Sequence, residues 1–218
     1  MAAMGSESKS PASAGEVIKR LKKIYPGAHI ALNYSNPLEL LVATILSAQA
    51  TDVKVNEVTA RVFKKYHTVD DYADARPGEF EQDIRQTGFY HNKARNIIRA
   101  AGIIRDSFSG KVPNTMAELV ILPGVARKTG NIVLYNAYRV VDGIAVDTHV
   151  GRLSQRLGLS SNKDPVKIEQ DLMRQIPRSE WGGFSYLLID HGRAVCTAIR
   201  PKCADCVLND ICPSAFKV

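Results

Sequence analysis

Two residues in the middle of the chain could do covalent chemistry. Lys128 stands in Leu122-Pro123-Gly124-Val125-Ala126-Arg127-Lys128-Thr129, and Asp147 in Val146-Asp147-Thr148-His149. Pro123 must stop any helix arriving from upstream, because its ring removes a donor and clashes with the preceding turn. Gly124 permits the φ that a tight reversal needs. Beyond it, Ile132, Val133, Leu134 and Ala137 recur at helical spacing, so a second helix follows the reversal. Upstream, Thr115 and Glu118 have the spacing of a capping box, which starts a short helix running through Leu119 and Ile121. The pattern predicts helix, hairpin, helix. It leaves the N–H groups of Gly124, Val125 and Ala126 unpartnered beside a positive dipole end, which makes a phosphate site. Lys128 falls in the first turn of the second helix, where the dipole opposes its charge and should lower its pKa. A neutral amine can attack carbon. Asp147 is placed to cap a helix from Thr148 to Leu157, whose dipole keeps the carboxylate ionised. Each feature also has a plainer reading: a phosphate anchor, a solvated lysine, an ordinary cap.

All four cysteines lie near the C-terminal end, in the pattern Cys196-x6-Cys203-x2-Cys206-x5-Cys212. Such clustering argues for a metal site. Nothing else in the chain suggests an oxidising compartment, which weighs against two disulfides. Structural zinc usually takes two close pairs of ligands, and only one Cys-x2-Cys exists here, so the spacing favours an iron–sulfur cluster with zinc as its rival. Four thiolates close the site and leave no position for substrate, which makes the role structural. Arg200 and Lys202 lie between the first two cysteines and Arg193 just upstream, so the loop could present basic side chains to phosphates.

The elements that must position these residues read as helices. Gly15 to Tyr25 puts Val17, Ile18, Leu21 and Ile24 on one face and Lys19, Arg20, Lys22 and Lys23 on a basic, solvated one. Pro37 opens a helix that is apolar all round and should be buried. It ends in Ser47-Ala48-Gln49-Ala50-Thr51-Asp52, and a further helix reaches about Tyr66. Short helices over Val69 to Ala75 and Pro77 to Gln86 lead to Thr87-Gly88-Phe89-Tyr90, a second glycine hairpin. That hairpin feeds a helix with Ala94, Ile97, Ile98, Ala101 and Ile104 at helical spacing. Asp164 to Gln175 and Trp181 to Arg193 are amphipathic helices. No pair of alternating strands is readable, so the fold class is all-α. Residues 30–140 should form a six-helix domain, and 15–29 with 141–218 a smaller one carrying the cysteines. The two should meet in a cleft near Lys128 and Asp147. Residues 1–14 read as a disordered tail, with one Lys and no Arg to support a transit peptide. Lys and Arg number 29 against 22 acidic residues, a net +7 that leans toward a polyanionic partner. No apolar run is long enough to span a bilayer, and no signal core precedes the first helix.

Taken together, Leu-Pro-Gly-Val-x-Arg-Lys-Thr, Val-Asp-Thr-His, Ser-Ala-Gln-Ala-Thr-Asp, the glycine hairpin and the cysteine quartet resemble the endonuclease III family of helix–hairpin–helix DNA glycosylases. The likeness runs from about Pro37 to Cys212. It implies a 4Fe–4S cluster on the four cysteines. It also implies a bifunctional DNA glycosylase and AP lyase that removes oxidised pyrimidines from double-stranded DNA. The partners implied are duplexes holding damaged bases or abasic sites, met by a monomer in the cytoplasm at the nucleoid. In that family the matching Lys attacks the deoxyribose C1′ and the Asp stabilises the sugar cation, which assigns those roles to Lys128 and Asp147. The family Gln enters the space left by a flipped nucleotide, and an apolar wedge enters the base stack. Gln49 and Phe89 take those places, against plainer readings as a helix C-terminus and a core aromatic. Ala126 and Gly130 depart from the usual Gly and Ala, and Phe89 exceeds the usual Leu. Binding of phosphate requires a helical φ at Ala126, and Gly130 loosens its helix by up to about 1 kcal/mol. Two rivals remain: a monofunctional mismatch glycosylase, against which Lys128 argues, and a DNA-binding module without chemistry.

Overall fold

The structure is a computed structural model and describes residues 12–218. Among the described residues all regular structure is helical, and no helix is long and apolar enough to cross a membrane. The chain divides into two compact units, Ile30–Asp142 and Met1–His29 with Gly143–Val218.

The first unit holds seven α-helices, the short predicted one before the hairpin included: α2 (Pro37–Leu46), α3 (Asp52–Val62), α4 (Val69–Ala73), α5 (Pro77–Ile84), α6 (Tyr90–Ser107), α7 (Met116–Leu119) and α8 (Arg127–Tyr138). Asn36 caps α2 by accepting the Glu39 N–H at 2.9 Å, and Pro37 occupies the first position, where no donor is missed. Every residue from Leu40 to Leu46 is buried. The one hydroxyl among them, on Thr44, donates back to Leu40 O at 2.7 Å and so carries no unmet desolvation cost. This buried rod is the axis on which α3, α6 and α8 pack. The helix expected to reach Tyr66 ends at Val62. Phe63 to Lys65 form a turn instead, after which the Tyr66 ring stacks on Tyr72 at 5.2 Å.

The second unit contains α1 (Ala14–Ile24), α9 (Thr148–Arg156), α10 (Pro165–Gln175) and α11 (Trp181–Ala194) among the described residues. Its core joins Val17 and Leu21 of α1 to Val150, Leu172 and Phe184. Two expectations need correction here. Of the predicted tail, residues 1–11 lie outside the described residues, but Ala12 and Ala14 are buried, and the Ala12 N–H donates to Leu157 O at 3.0 Å. The basic face of α1 is not merely solvated. Arg20 donates to Glu16, to Asp210 and to Val207 O, and Lys22 pairs with Glu180. Glu16 is a neighbour one turn back on the same helix, but Val207, Asp210 and Glu180 lie far along the sequence, so a helical pattern alone could not name them.

Candidate active site

The predicted helix–hairpin–helix is present, with one change in its wiring. Thr115 caps α7 by accepting the Glu118 N–H, while its own hydroxyl donates to the Glu118 carboxylate. The helix stops at Leu119 rather than Ile121, because a chain of three-residue turns takes over: Leu122 N–H to Leu119 O at 3.1 Å, then Val125 N–H to Leu122 O at 3.0 Å. Gly124 makes the reversal at φ +83, and a Cβ there would stand 3.1 Å from Asn96 Cβ. The Val125 N–H is therefore consumed inside the hairpin, and its side chain is buried. Val125 is a structural member of the hairpin and not a free donor. Gly124 and Ala126 are exposed, and neither N–H is used in a backbone hydrogen bond among the described residues.

Ala126 is the N-cap of α8, with φ −96 and ψ 172. The expectation of a helical φ at Ala126 is thus wrong; the backbone is extended, which any L residue adopts, so glycine is not required. No side chain caps this helix. A helix start without a side-chain cap, beside the positive dipole end, suits an anion site. Gly130 has a reason of its own. A Cβ there would meet Met116 Sδ at 2.6 Å, so the missing methyl lets α7 lie close against α8. Lys128 is the second residue of α8 and is exposed. Its neighbour Arg127 pairs with Asp142 at 3.3 Å.

In the same unit, Gln49 and Phe89 occupy the two other loops singled out from the sequence. Both are exposed, Phe89 at 63%, so the reading of Phe89 as a core aromatic fails. Both also hold left-handed backbone, with φ 54 at Gln49 and φ 48 at Phe89. Non-glycine residues persist there only where the surroundings impose it. The sequence reading passed over Lys93, four residues beyond Phe89. Burial pushes its amine down to about 8, yet Nζ is engaged by two backbone carbonyls. A depressed lysine is here a structural group, so a shifted pKa does not by itself mark a nucleophile.

In the other unit, Asp147 is the N-cap of α9 and its Oδ1 accepts the Val150 N–H at 2.8 Å. Oδ2 is not part of that cap. Two arginines of α9 reach the cysteine loop. Arg152 donates to Gly192 O and Cys196 O, and Arg156 to Thr197 O, Ala198 O and Cys196 Sγ. Their spacing, four apart on one helix face, was the signal available in the sequence. The helix carrying Asp147 is thereby fixed to the segment carrying the cysteines.

All four cysteines are free thiols, and all line one small, largely apolar cavity. Burial and the neighbouring sulfur charges push the Cys206 and Cys212 thiols up, although backbone N–H groups partly oppose this. Four thiolates packed this way require compensating positive charge. Among the described residues no three metal-binding side chains gather as for a single ion. His191 sits behind the cysteines, with Nε2 3.3 Å from Cys206 Sγ and Nδ1 3.2 Å from Tyr25 Oη, and burial holds its pKa down near about 4. Arg193, Arg200 and Lys202 are exposed around this loop, and Arg200 is left-handed at φ 55.

Residues 42–178 match the HhH-GPD superfamily base excision DNA repair proteins. Residues 196–212 match the iron–sulfur binding domain of endonuclease III, a span that begins and ends on a cysteine. The chain is 52% identical over 202 residues to endonuclease III of Synechocystis, covering 93% of this chain and 92% of that protein. Identity to endonuclease III of Bacillus subtilis is 44%, over 92% and 91% of the two chains. A solved structure of a trapped endonuclease III–DNA covalent intermediate superposes with a TM-score of 0.89 at 44% identity, covering 93% and 95%. With the hairpin, the capped aspartate and the four-sulfur cavity already in place, these likenesses show that the chain belongs to the endonuclease III family and carries a 4Fe–4S cluster.

Proposed function

We propose that Lys128 is the nucleophile and Asp147 its charged partner. The enzyme is a bifunctional DNA glycosylase and AP lyase of base excision repair, acting on oxidised pyrimidines in DNA. The observation that carries the assignment is the position of Lys128. It is an exposed amine at the start of a helix whose N-terminus no side chain caps, next to the free N–H groups of Gly124 and Ala126. Phosphate bound there would set the sugar within reach of the amine.

The target base cannot be reached inside the stack, so its nucleotide is extruded. The Lys128 amine then forms a bond to C1′ as the glycosidic bond breaks and the base leaves with the electron pair. Ring opening gives an imine. Loss of a C2′ proton expels the 3′ phosphate and cuts the strand. Asp147 stabilises the positive charge that develops on the sugar and helps deprotonate Lys128. The covalent intermediate with DNA trapped for a related endonuclease III is consistent with a nucleophilic step. A nicking assay on duplex DNA with one abasic site tests the reading. Strand cleavage with an imine intermediate is expected, and a protein that binds without cutting would be only a DNA-binding module. A panel of duplexes, each with one defined lesion, separates oxidised pyrimidines from the mismatches a monofunctional enzyme would take.

Gln49 and Phe89 serve the extrusion step. Phe89 enters the base stack and Gln49 fills the space the nucleotide leaves, which offsets part of the unstacking cost. Both project from loops and carry little of the core. Phe89→Ala and Gln49→Ala should therefore weaken lesion-duplex binding by about 1–3 kcal/mol each while leaving thermal stability nearly unchanged. Equilibrium binding alongside thermal melting checks this; unchanged affinity in both variants removes the two assignments.

The cluster, held by Cys196, Cys203, Cys206 and Cys212, supplies cross-links to a segment with little regular structure of its own. That segment has one short 3₁₀ turn, Cys203–Asp205. It presents Arg193, Arg200 and Lys202 to phosphates, and the protein works on DNA as a monomer in the cytoplasm. Freshly purified protein should be brown, with about four irons per chain. Cys212→Ala should lose the colour and expose the segment after Val195 to protease. Stoichiometric zinc in colourless, active protein would contradict this.

A further inference from the structure

We infer that the Lys93 amine is a clamp that sets the spacing of the Gln49 and Phe89 loops, making it a positioning residue for base extrusion. This rests on the reading of those two side chains given above.

Lys93 sits in the first turn of α6 with only 5% of its surface exposed. Its Nζ donates to Leu46 O and to Thr87 O, each at 2.7 Å. Both acceptors are chain ends of a particular kind. Leu46 is the last residue of α2, and Thr87 is the last residue of the 3₁₀ turn Arg85–Thr87. The final carbonyls of a helix lack partners in their own ladder and carry its negative end, so a cation suits both. No carboxylate shares the site in these contacts. Burying an ammonium is costly, and a Met or Leu would fill the same space without that cost. What an apolar side chain cannot do is hold two carbonyls of different segments at one point.

The held carbonyls are where the two loops depart. Gln49 follows Leu46 by three residues, and Phe89 follows Thr87 by two. Immediately beyond the clamp, both chains enter left-handed backbone at exposed, non-glycine residues. Two strained residues in separate loops thus share one anchor. Two side chains that enter one base stack must keep a fixed separation, and groups that act on DNA together are held by a supporting layer of this sort. Lys93 reaches back 47 positions to supply it.

A double-mutant cycle tests the inference. Lys93→Met should lower lesion-duplex affinity about tenfold, and a fluorescent base placed opposite the lesion should report less extrusion. Introduced into the Gln49→Ala/Phe89→Ala protein, the same change should cost less than about twofold, because the loops no longer carry anything to position. Lys93→Gln keeps N–H donors on a shorter arm and should recover part of the affinity; if Lys93→Met does not fold, Lys93→Gln carries the cycle. Unchanged affinity in Lys93→Met, or an equal loss in both backgrounds, overturns the clamp and leaves Lys93 a contributor to stability alone. If Gln49→Ala and Phe89→Ala are themselves silent, the reading of the loops falls and takes the clamp with it.

Discussion

Lys128→Gln protein should bind DNA containing an abasic site and yet give no covalent adduct when a borohydride reductant is present. The wild type should give that adduct readily, since the reductant converts the imine to a stable amine. Gln keeps most of the side-chain length but has no amine to add to C1′. The substitution should not disturb the fold. Lys128 is exposed, at the second position of α8, and exposed substitutions away from special features stay within about 0.5 kcal/mol. Phosphate contacts should persist, because the hairpin offers the N–H groups of Gly124 and Ala126 whatever stands at position 128.

Two controls make the result specific. Arg127→Gln removes the adjacent cation and its pair with Asp142, a half-exposed contact worth about 0–1 kcal/mol, and trapping should continue. Lys93→Met removes the buried amine whose pKa lies near about 8. If adduct formation followed Lys93 instead of Lys128, the depressed pKa would be the better guide to the chemistry. Geometry argues the reverse: the Lys93 amine is enclosed and bonded to two carbonyls, while Lys128 stands open at a helix start. A Lys128→Gln protein that still cross-links at the wild-type rate would oblige the nucleophile to be sought elsewhere.

What the sequence made legible follows the range of the forces involved. α2 could be read because burial on every side leaves an unbroken apolar run opened by Pro37. The cap at Asp147 could be read because a side chain bonding the third N–H ahead is a local event. The limits appear wherever a partner lies far away. Arg20 looked like part of a solvated face, and its acceptors at Val207 and Asp210 are some 190 positions distant. Lys93 was passed over because nothing near it announces that Leu46 O will be its acceptor. The hairpin failed differently. Its residues were identified, but the hydrogen bond from Val125 to Leu122 depends on how tightly the Pro-Gly turn closes. Gly130 read as a weakness in α8, and only the approach of Met116 explains it. Phe89 could not be placed by composition, since an aromatic beside a glycine serves core or surface equally; its exposed, left-handed position decides the matter.

Asp147→Asn should fold as well as the wild type and excise bases more slowly by about 10²–10³-fold, the cost typical of removing one preorganised electrostatic group. The observed cap and the proposed electrostatic role can be separated because they use different properties. As a cap, Oδ1 accepts the Val150 N–H at 2.8 Å, and an Asn oxygen accepts the same bond with almost equal preference. As a partner of the sugar cation, the residue must carry a negative charge, which Asn lacks. Asp147→Ala loses both, so it should match Asn in excision but fall below it in stability by about 1 kcal/mol. Asp164 supplies the control. It caps α10 through the Val166 and Lys167 N–H groups, and Asp164→Asn should alter neither excision nor melting appreciably. Single-turnover excision on a lesion duplex, read beside thermal melting, distinguishes these cases. An Asn variant that excises at the wild-type rate would leave Asp147 as the cap of α9, tied through Arg152 and Arg156 to the cluster segment, and the stabilising charge would have to come from another carboxylate.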